Sequence, residues 1–197
     1  TVQGDWSNAS FFLCAGALSE KGVTVTDLDI NSPQGDKEIL NVLSSMGADV
    51  QISGTRITVK KKNLKGITVD ASDIPDAVPI ISVVATACQG DTKIINAQRL
   101  RIKESDRIKS VVNMLNAVGG NAEETDDGLI IHGIGKLQGG IVNGYNDHRI
   151  VMSASILSAL CKDNVEITDF KAVEKSYPNF FEDFNKMGGN ANVLNDR

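Results

Sequence analysis

The phrase Met187-Gly188-Gly189-Asn190-Ala191 ends a helical pattern, and close copies of it stand at two earlier points of the chain. The earlier copies are Val118-Gly119-Gly120-Asn121-Ala122 and Met46-Gly47-Ala48-Asp49-Val50, so the first glycines lie 69 and 72 residues apart. In each copy a helix-like run precedes the glycine and a strand-like run follows it. A glycine at such a helix end predicts a left-handed residue, because glycine adopts that conformation without a Cβ penalty.

A second element repeats in phase with the first. Helical patterns rich in small residues are each followed by an alternating strand of four residues. The helices are Ser7–Ser19, Asp76–Cys88 and Asp147–Cys161, and the strands are Val23–Thr26, Thr92–Ile95 and Val165–Thr168. Hairpin strands at Arg56–Val59 and Leu129–His132 complete the pattern. Helix–Gly–strand phrases also occur by chance in α/β proteins, but two elements in register favour a true repeat.

The repeat predicts an α/β fold of three pseudo-repeated units in a single domain that covers residues 1–197. The units are approximately 1–70, 71–140 and 141–197. Because Ala, Ser and Gly faces allow helices to approach closely, we expect the small-residue helices inside and the sheets outside.

Composition and charge exclude several classes of protein. The chain is 41% apolar and 23% charged, which excludes collagen-like, coiled-coil and disordered proteins. A net charge of −5 and a pI of about 5.0 argue against broad binding to nucleic acid or to an anionic membrane. No apolar run reaches the ~18 residues of a membrane span, and nothing resembles a signal peptide. The start at Thr1, without a methionine, predicts a fragment or a processed product.

The three cysteines predict free thiols in a reducing compartment. Cys14, Cys88 and Cys161 are odd in number, far apart and set in apolar runs, although a disulfide remains the alternative. A zinc site is not expected, since neither His132 nor His148 lies near a cysteine in the sequence.

One loop carries a concentration of charge that folding alone does not require. The stretch Arg99-Leu-Arg-Ile-Lys-Glu-Ser-Asp-Arg107 has four cations, whereas the matching stretch of the first unit, residues 28–36, has none. Ser105 or Asp106 can cap the following helix, which places Arg107 in its first turn. A guanidinium there, beside free backbone N–H groups, suits a phosphate or carboxylate. A solvated loop neutralised by its own carboxylates is the alternative.

Two other helix starts carry comparable residues. Tyr145-Asn-Asp-His-Arg149 puts Arg149 in a first turn, and a later loop of that unit contributes Lys175. Asp73-Ile-Pro-Asp76 opens the second unit's helix, where Asp76 can also serve the helix dipole alone. A threefold arrangement predicts that five residues face one end of the domain: Asp76, Glu104, Arg107, Arg149 and Lys175. Two carboxylates among cations can hold an anionic substrate and move its protons.

These phrases resemble the 5-enolpyruvylshikimate-3-phosphate synthase family. The similar stretches are Arg99–Arg107, Asn146–Arg149, Asp73–Asp76 and Gly4-Asp-Trp-Ser-Asn-Ala-Ser-Phe11. The resemblance covers the chain from Gly4 to about Met187 and implies an enolpyruvyl transferase-like fold. It further implies transfer of the enolpyruvyl group from phosphoenolpyruvate to the 5-hydroxyl of shikimate 3-phosphate, with release of phosphate. The implied reaction takes place in the cytoplasm and uses no metal or organic cofactor.

The resemblance also implies roles for individual residues. Asp76 matches the base near the 5-hydroxyl, and Glu104 matches the acid that protonates the methylene carbon. Lys103 matches a residue that contacts shikimate 3-phosphate. The phosphoenolpyruvate-binding cations match Arg107, Arg149 and Lys175, and His148 matches a motif position with either a binding or a structural role. A proton donor near neutral pH needs a raised pKa; burial of Glu104 would favour this and the surrounding cations oppose it, and the sequence leaves the balance open.

The family's chain is substantially longer, with two similar domains and an active site between them. The resemblance therefore implies a C-terminal part that carries half an active site, is inactive alone and requires the missing N-terminal domain as its partner. The family also starts its chain in this domain, so a strand is expected to be missing from a sheet edge. Two alternatives remain: another enolpyruvyl transferase or phosphate-handling enzyme of the same fold, and a non-catalytic interaction domain.

Overall fold

The computed structural model describes residues 4–194 of the chain. The α-helices in this part are α1 (Trp6–Leu18), α2 (Ile39–Ser45), α3 (Val78–Thr86), α4 (Arg107–Ala117), α5 (His148–Leu157) and α6 (Phe180–Lys186). The strands are β1 (Val23–Val25), β2 (Asp49–Ser53), β3 (Arg56–Lys60), β4 (Thr68–Asp70), β5 (Asp91–Ile95), β6 (Ala122–Glu124), β7 (Leu129–His132), β8 (Gly140–Val142) and β9 (Val165–Ile167). Short 3₁₀ turns precede α2, α3 and α4 and follow β9.

The strands of residues 4–194 form three sheets. Their orders are β1-β3-β2, β4-β5-β7-β6 and β8-β9. Antiparallel hairpin pairing joins β2 to β3 and β6 to β7, whereas β4–β5 and β8–β9 are parallel pairs connected through α3 and α5. Alternation sets which face is buried: Ile57 and Val59 of β3 point inward, and their neighbours are more exposed.

The small-residue helices lie in the interior, as predicted. Every residue of α3 is buried, and so are nine of the ten residues of α5. The helices α1, α3 and α5 contact one another, and the sheets lie outside them. Serines are tolerated there because Ser82 Oγ donates to Val78 O at 2.8 Å and Ser155 Oγ donates to Val151 O at 2.9 Å. The fold is thus α/β with helices inside and sheets outside.

The repeated glycines adopt the predicted conformation. Gly47, Gly119 and Gly188 follow α2, α4 and α6 with φ of 95°, 85° and 102°. A residue with a Cβ is strained at such angles, which explains why all three copies carry glycine at this position.

One predicted strand is wrong. The third glycine phrase predicts a strand after Gly189, but no strand follows α6 within residues 4–194. In the first two units the corresponding strands, β2 and β6, pair with the strand that comes next in the chain. Within residues 4–194 no strand pairs with the segment after Gly189. Ala191 N–H and C=O bond instead to the Asn185 side chain at 2.7 and 3.1 Å, and the segment is irregular. The third sheet accordingly has two strands where the second has four.

An aromatic cluster joins the third unit to the first. Phe180 of α6 is fully buried. Its ring centroid lies 5.4–6.4 Å from those of Phe11, Phe12, Tyr177, Phe181 and Phe184. Asn8 Nδ2 also donates to Ser176 O at 3.3 Å. These contacts hold the loop that ends at Lys175 and Ser176 beside the start of α1.

Two further expectations concern thiols and membranes. Cys14 and Cys88 are buried free thiols and Cys161 is a half-buried one, so the expected free cysteines are confirmed. Across residues 4–194, no helix has the length and hydropathy needed to traverse a lipid bilayer.

Candidate active site

An aspartate stands at the start of each interior helix. Asp5, Asp76 and Asp147 recur at intervals of 71 residues. Asp5 and Asp147 are N-caps: Asp5 Oδ1 accepts from Ser7 N at 2.8 Å, and Asp147 Oδ1 accepts from Arg149 N at 2.9 Å. Asp76 lies in the 3₁₀ turn Pro75–Ala77 that leads into α3. The carboxylates stabilise the positive ends of the helix dipoles, and helix packing brings Asp76 and Asp147 together.

Arg107 is the centre of the charge cluster. It is the first residue of α4, whose N-cap Asp106 accepts from Lys109 N at 3.2 Å, and its side chain is only 1% exposed. Nε and Nη2 donate to the two oxygens of Asp147 at 2.8 and 3.2 Å. Nη1 donates to Asp76 Oδ1 at 2.7 Å, and Nη2 also donates to Glu104 Oε2 at 2.5 Å. Four of the five guanidinium N–H groups therefore bind carboxylates.

Asp76 is shared between three cations. Besides Arg107, its Oδ1 lies 3.3 Å from Lys103 Nζ, and its Oδ2 lies 3.5 Å from Arg149 Nη2. Arg149 Nη1 also donates to the Asp76 carbonyl at 3.3 Å. One carboxylate thus already contacts both Arg107 and Arg149, so these two guanidinium groups are close enough to share a small anion. The Asp76 side chain remains 31% exposed, which leaves it accessible from solvent.

The neighbouring cations keep the carboxylates of Asp76 and Asp147 ionised. Burial raises the pKa of Asp76, but attraction to Arg149, Lys103 and Arg107 outweighs it, and the net pKa lies below the usual value. Burial likewise raises the pKa of Asp147, and its hydrogen bonds and charge interaction with Arg107 bring the pKa below normal. Both groups are therefore carboxylates at neutral pH.

Lys175 lies at the edge of the cluster. It is exposed at the end of the 3₁₀ turn Phe170–Lys175, and its Nζ donates a short hydrogen bond to the carbonyl of Asn146. A cavity of about 300 Å³ is lined by Asn146, Asp169, Phe170, Lys171, Ala172 and Lys175. Asn146, which lines this cavity, directly precedes Asp147, the buried partner of Arg107.

Comparison with known proteins identifies the family to which this chain belongs. The model of the family described as EPSP synthase (3-phosphoshikimate 1-carboxyvinyltransferase) matches residues 1–184. The chain belongs to the EPSP synthase family. Among curated relatives, the 3-phosphoshikimate 1-carboxyvinyltransferase of Clostridium novyi is 49% identical over 188 residues, which cover 95% of this chain and 43% of the relative. That of Clostridium acetobutylicum is 47% identical with the same coverage.

Solved structures agree with the family assignment. A structure of EPSP synthase from Acinetobacter baumannii has a TM-score of 0.84 and 30% identity, and the match covers 98% of this chain and 48% of that one. The enolpyruvyl transferase NikO from Streptomyces tendae has a TM-score of 0.77 at 20% identity, which supports the fold alone. The chain spans less than half of the length of the curated relatives it matches.

His148 stands apart from the other family-motif residues. Its ring is buried, and Nδ1 has no hydrogen-bond partner among residues 4–194. Burial and the nearby charge of Arg149 lower the pKa of His148, so the ring is neutral at pH 7. It packs at the start of α5 beside Arg149, which fits the structural alternative for this residue.

Two carboxylates of the site were not predicted from the sequence. From the sequence either Asn146 or Asp147 can cap α5, and nothing more is expected of Asp147; in the structure it is also the bidentate partner of Arg107. Asp36, from the first unit's loop, is half-buried, and burial raises its pKa while Ser7 and Arg149 act to lower it. The 71-residue spacing of the helix-start aspartates is the signal that points to Asp147. Asp36 had no such signal, because its loop lacks the cations of its counterpart.

Proposed function

We propose that this chain is the C-terminal part of a 3-phosphoshikimate 1-carboxyvinyltransferase. The whole enzyme would transfer the enolpyruvyl group of phosphoenolpyruvate to the 5-hydroxyl of shikimate 3-phosphate and release phosphate. The observation that carries the proposal is the cluster in which Arg107 binds Asp76, Glu104 and Asp147 while Lys103 and Arg149 contact Asp76. Membership of the EPSP synthase family supports these substrates for the cluster.

The cations of the site differ in how free each one is to bind an anion. Lys175 binds only a carbonyl within residues 4–194, so its charge is free to attract phosphoenolpyruvate. Arg149 has one carboxylate partner at 3.5 Å, and an incoming phosphate or carboxylate can replace it. Arg107 is nearly saturated, so its binding to phosphoenolpyruvate requires exchange of the Asp76 or Glu104 contact. We assign Lys103 to shikimate 3-phosphate, and His148 to packing behind Arg149.

Asp76 has the properties of a base that is ready before substrate arrives. It is ionised at neutral pH, partly exposed and fixed by three cations. Binding of an anion to Arg149 neutralises part of the charge that depresses the Asp76 pKa, so the carboxylate becomes a stronger base when phosphoenolpyruvate is present. It then accepts the proton of the 5-hydroxyl as that oxygen attacks C2 of phosphoenolpyruvate.

Glu104 is the proposed acid for the methylene carbon. Protonation of C3 by Glu104 and attack of the 5-oxygen at C2 give a tetrahedral intermediate. The Glu104 carboxylate then takes a proton back from C3 as the bond from C2 to phosphate breaks, and the proton held by Asp76 passes to the departing phosphate. The Glu104 side chain is 41% exposed and is paired with Arg107, so this chain alone does not bury it. The rest of the enzyme is the proposed source of that burial.

The proposed partner of this chain is therefore the remainder of the same enzyme. The relatives are more than twice as long as the matched region, and the third sheet has two strands against four in the second. We propose that the remainder supplies the opposite wall of the cleft and completes the open sheet edges. The free cysteines support a cytoplasmic location. The division into units near residues 70 and 140 stays a prediction.

The test is a steady-state assay of the full-length protein that contains this chain. Phosphate release from phosphoenolpyruvate should require shikimate 3-phosphate, and other hydroxyl acceptors should not replace it. Asp76→Ala and Glu104→Ala should each lower kcat by about 100-fold or more, as expected for loss of a general base or acid. Glu166→Gln, an exposed carboxylate on β9, is the matched control and should change kcat little. Turnover without shikimate 3-phosphate, or full activity of both Ala variants, would contradict the proposal.

A further inference from the structure

The turn before α5 is held in an unusual backbone conformation. Tyr145 and Asn146 are consecutive non-glycine residues with φ of 51° and 49°, and Asp169 on the neighbouring loop has φ of 53°. Left-handed conformation is unfavourable for residues with a Cβ, and asparagine and aspartate tolerate it best. Such residues persist only where surrounding contacts fix them, and they concentrate at functional sites.

Several contacts fix this turn from different sides. Tyr145 N donates to Asn143 Oδ1 at 2.7 Å, and Asn113 Nδ2 of α4 donates to the Tyr145 hydroxyl at 2.9 Å. Asn146 N donates to Asp169 Oδ2 at 3.3 Å. The next residue, Asp147, caps α5 and binds Arg107. The turn is thus tied to α4, to the loop after β9 and to the Arg107 cluster.

Asn146 uses its main chain, not its side chain. Its carbonyl accepts the hydrogen bond from Lys175 Nζ, and its N–H donates to Asp169. Among residues 4–194 the Asn146 amide makes no side-chain hydrogen bond, although the side chain is exposed. In the same part of the chain, Lys175 has no carboxylate within 4 Å. The asparagine is therefore suited to this position by its tolerance of a positive φ.

We propose that Asn146 is a positioning residue that holds the Lys175 ammonium through its main-chain carbonyl, and that Asp169 fixes the left-handed turn that aims this carbonyl. Lys175 is then presented at the mouth of the adjoining cavity instead of moving freely. The consequence for phosphoenolpyruvate rests on the proposed function. The contact between the Lys175 ammonium and the Asn146 carbonyl is independent of that function.

The decisive comparison uses substitutions in the full-length protein that separate side chain from backbone. Asn146→Gly removes the amide but keeps the carbonyl and the positive φ, so KM for phosphoenolpyruvate should stay within about twofold of wild type. Asn146→Val disfavours the left-handed conformation and should raise this KM roughly tenfold, with a smaller change in kcat. Asp169→Gly removes the acceptor without straining its own backbone and should raise KM by about threefold to fivefold.

Asn96→Val is the matched control for backbone strain. Asn96 is also left-handed, with φ of 58°, and its N–H donates to Asp127 Oδ2 at 3.0 Å in the second unit. Because Asn96 Nδ2 also donates to Asp70 Oδ2 at 2.9 Å, this variant should lose at least as much stability as Asn146→Val but keep the wild-type KM for phosphoenolpyruvate. A KM increase in Asn96→Val equal to that in Asn146→Val would overturn the proposal, because strain alone would explain both.

A second measurement is independent of activity. In ¹H–¹⁵N spectra of lysine ammonium groups, the Lys175 protons should exchange with water more slowly than those of Lys171, which lines the same cavity. Slow exchange should persist in Asn146→Gly and be lost in Asn146→Val and Asp169→Gly. Equal exchange of Lys175 and Lys171 in the wild type, or loss of protection in Asn146→Gly, would refute the inference. Absence of turnover in the wild type would instead refute the proposed function and leave this measurement valid.

Discussion

Replacement of Arg107 by methionine tests how much the buried guanidinium stabilises the helix starts. Asp147 is fully buried and binds Arg107 through both oxygens, at 2.8 and 3.2 Å. Removal of one partner from a buried ion pair costs about 3–5 kcal/mol, because the other charge stays buried without compensation. Asp76 keeps Lys103 and Arg149, so its contribution is smaller. We expect Arg107→Met to lower the free energy of unfolding at pH 7 by about 4 kcal/mol.

Urea unfolding followed by circular dichroism measures this loss. With an m value of about 2 kcal/mol/M, the midpoint should fall by about 2 M. Arg101→Met is the matched control, since Arg101 also contacts two carboxylates, Asp106 at 3.2 Å and Glu124 at 2.9 Å, but is 33% exposed. Exposed pairs contribute about 0–1 kcal/mol, so this control should shift the midpoint by no more than about 0.5 M.

The pH dependence separates charge from packing. In the wild type the lowered pKa of Asp147 gives stability that is present above the unfolded pKa of about 3.9 and lost as pH falls through the folded value. Without Arg107, burial raises the pKa of Asp147. Acidification then protonates Asp147 and removes the uncompensated buried charge that destabilises the variant. The difference between wild type and variant should shrink as pH falls.

A double substitution provides the counter-test. Arg107→Met/Asp147→Asn removes both charges and keeps a good N-cap, so it should recover most of the lost stability at pH 7. A loss below about 1 kcal/mol for Arg107→Met, or a loss independent of pH, would refute the buried-pair argument.

Three other predictions concern the core, the thiols and the buried histidine. Phe180→Ala should lower the free energy of unfolding by about 3–5 kcal/mol in urea titrations, because its fully buried ring contacts aromatic residues of both terminal units, and a loss under about 1 kcal/mol would contradict this. Half-buried Cys161 should react with a thiol reagent before the buried Cys14 and Cys88, because a reagent reaches its sulfur most easily. Burial raises the pKa of all three thiols, to about 11 for Cys88, and the rates should converge in urea. The NMR titration midpoint of His148 should lie below about 6.5, because burial and Arg149 lower its pKa, and Arg149→Gln should raise it.

The repeated units were predictable from sequence because each unit must satisfy the same local physics. A glycine is needed where each outer helix ends, and an apolar face is needed on each inner helix, so both leave a periodic pattern. Arg107 and Arg149 were correctly placed in first helical turns for the same reason: the capping residues Asp106 and Asp147 precede them. The third unit's strand failed because pairing, not local pattern, decides whether a strand forms.

The contacts within the site were not predictable to the same degree. That Arg107 would be 1% exposed and bound to three carboxylates depends on how α3, α4 and α5 pack, which residue types alone do not specify. Asp147 illustrates this: one carboxylate caps α5 and also neutralises Arg107, and only the first role is local. The Asn146 carbonyl left no trace in the sequence, because any residue supplies one.

The most direct test of the central claim is complementation of the 197-residue chain. Alone, the chain should show no phosphate release that depends on shikimate 3-phosphate, since orientation between two walls contributes up to ~7–11 kcal/mol in favourable systems. Addition of the rest of the full-length protein as a separate polypeptide should restore turnover. Asp76→Ala or Glu104→Ala in this chain should abolish that turnover while inorganic phosphate still binds. Robust turnover by the chain alone, or restored turnover that survives both substitutions, would contradict the account of a half active site built on Arg107 and its carboxylates.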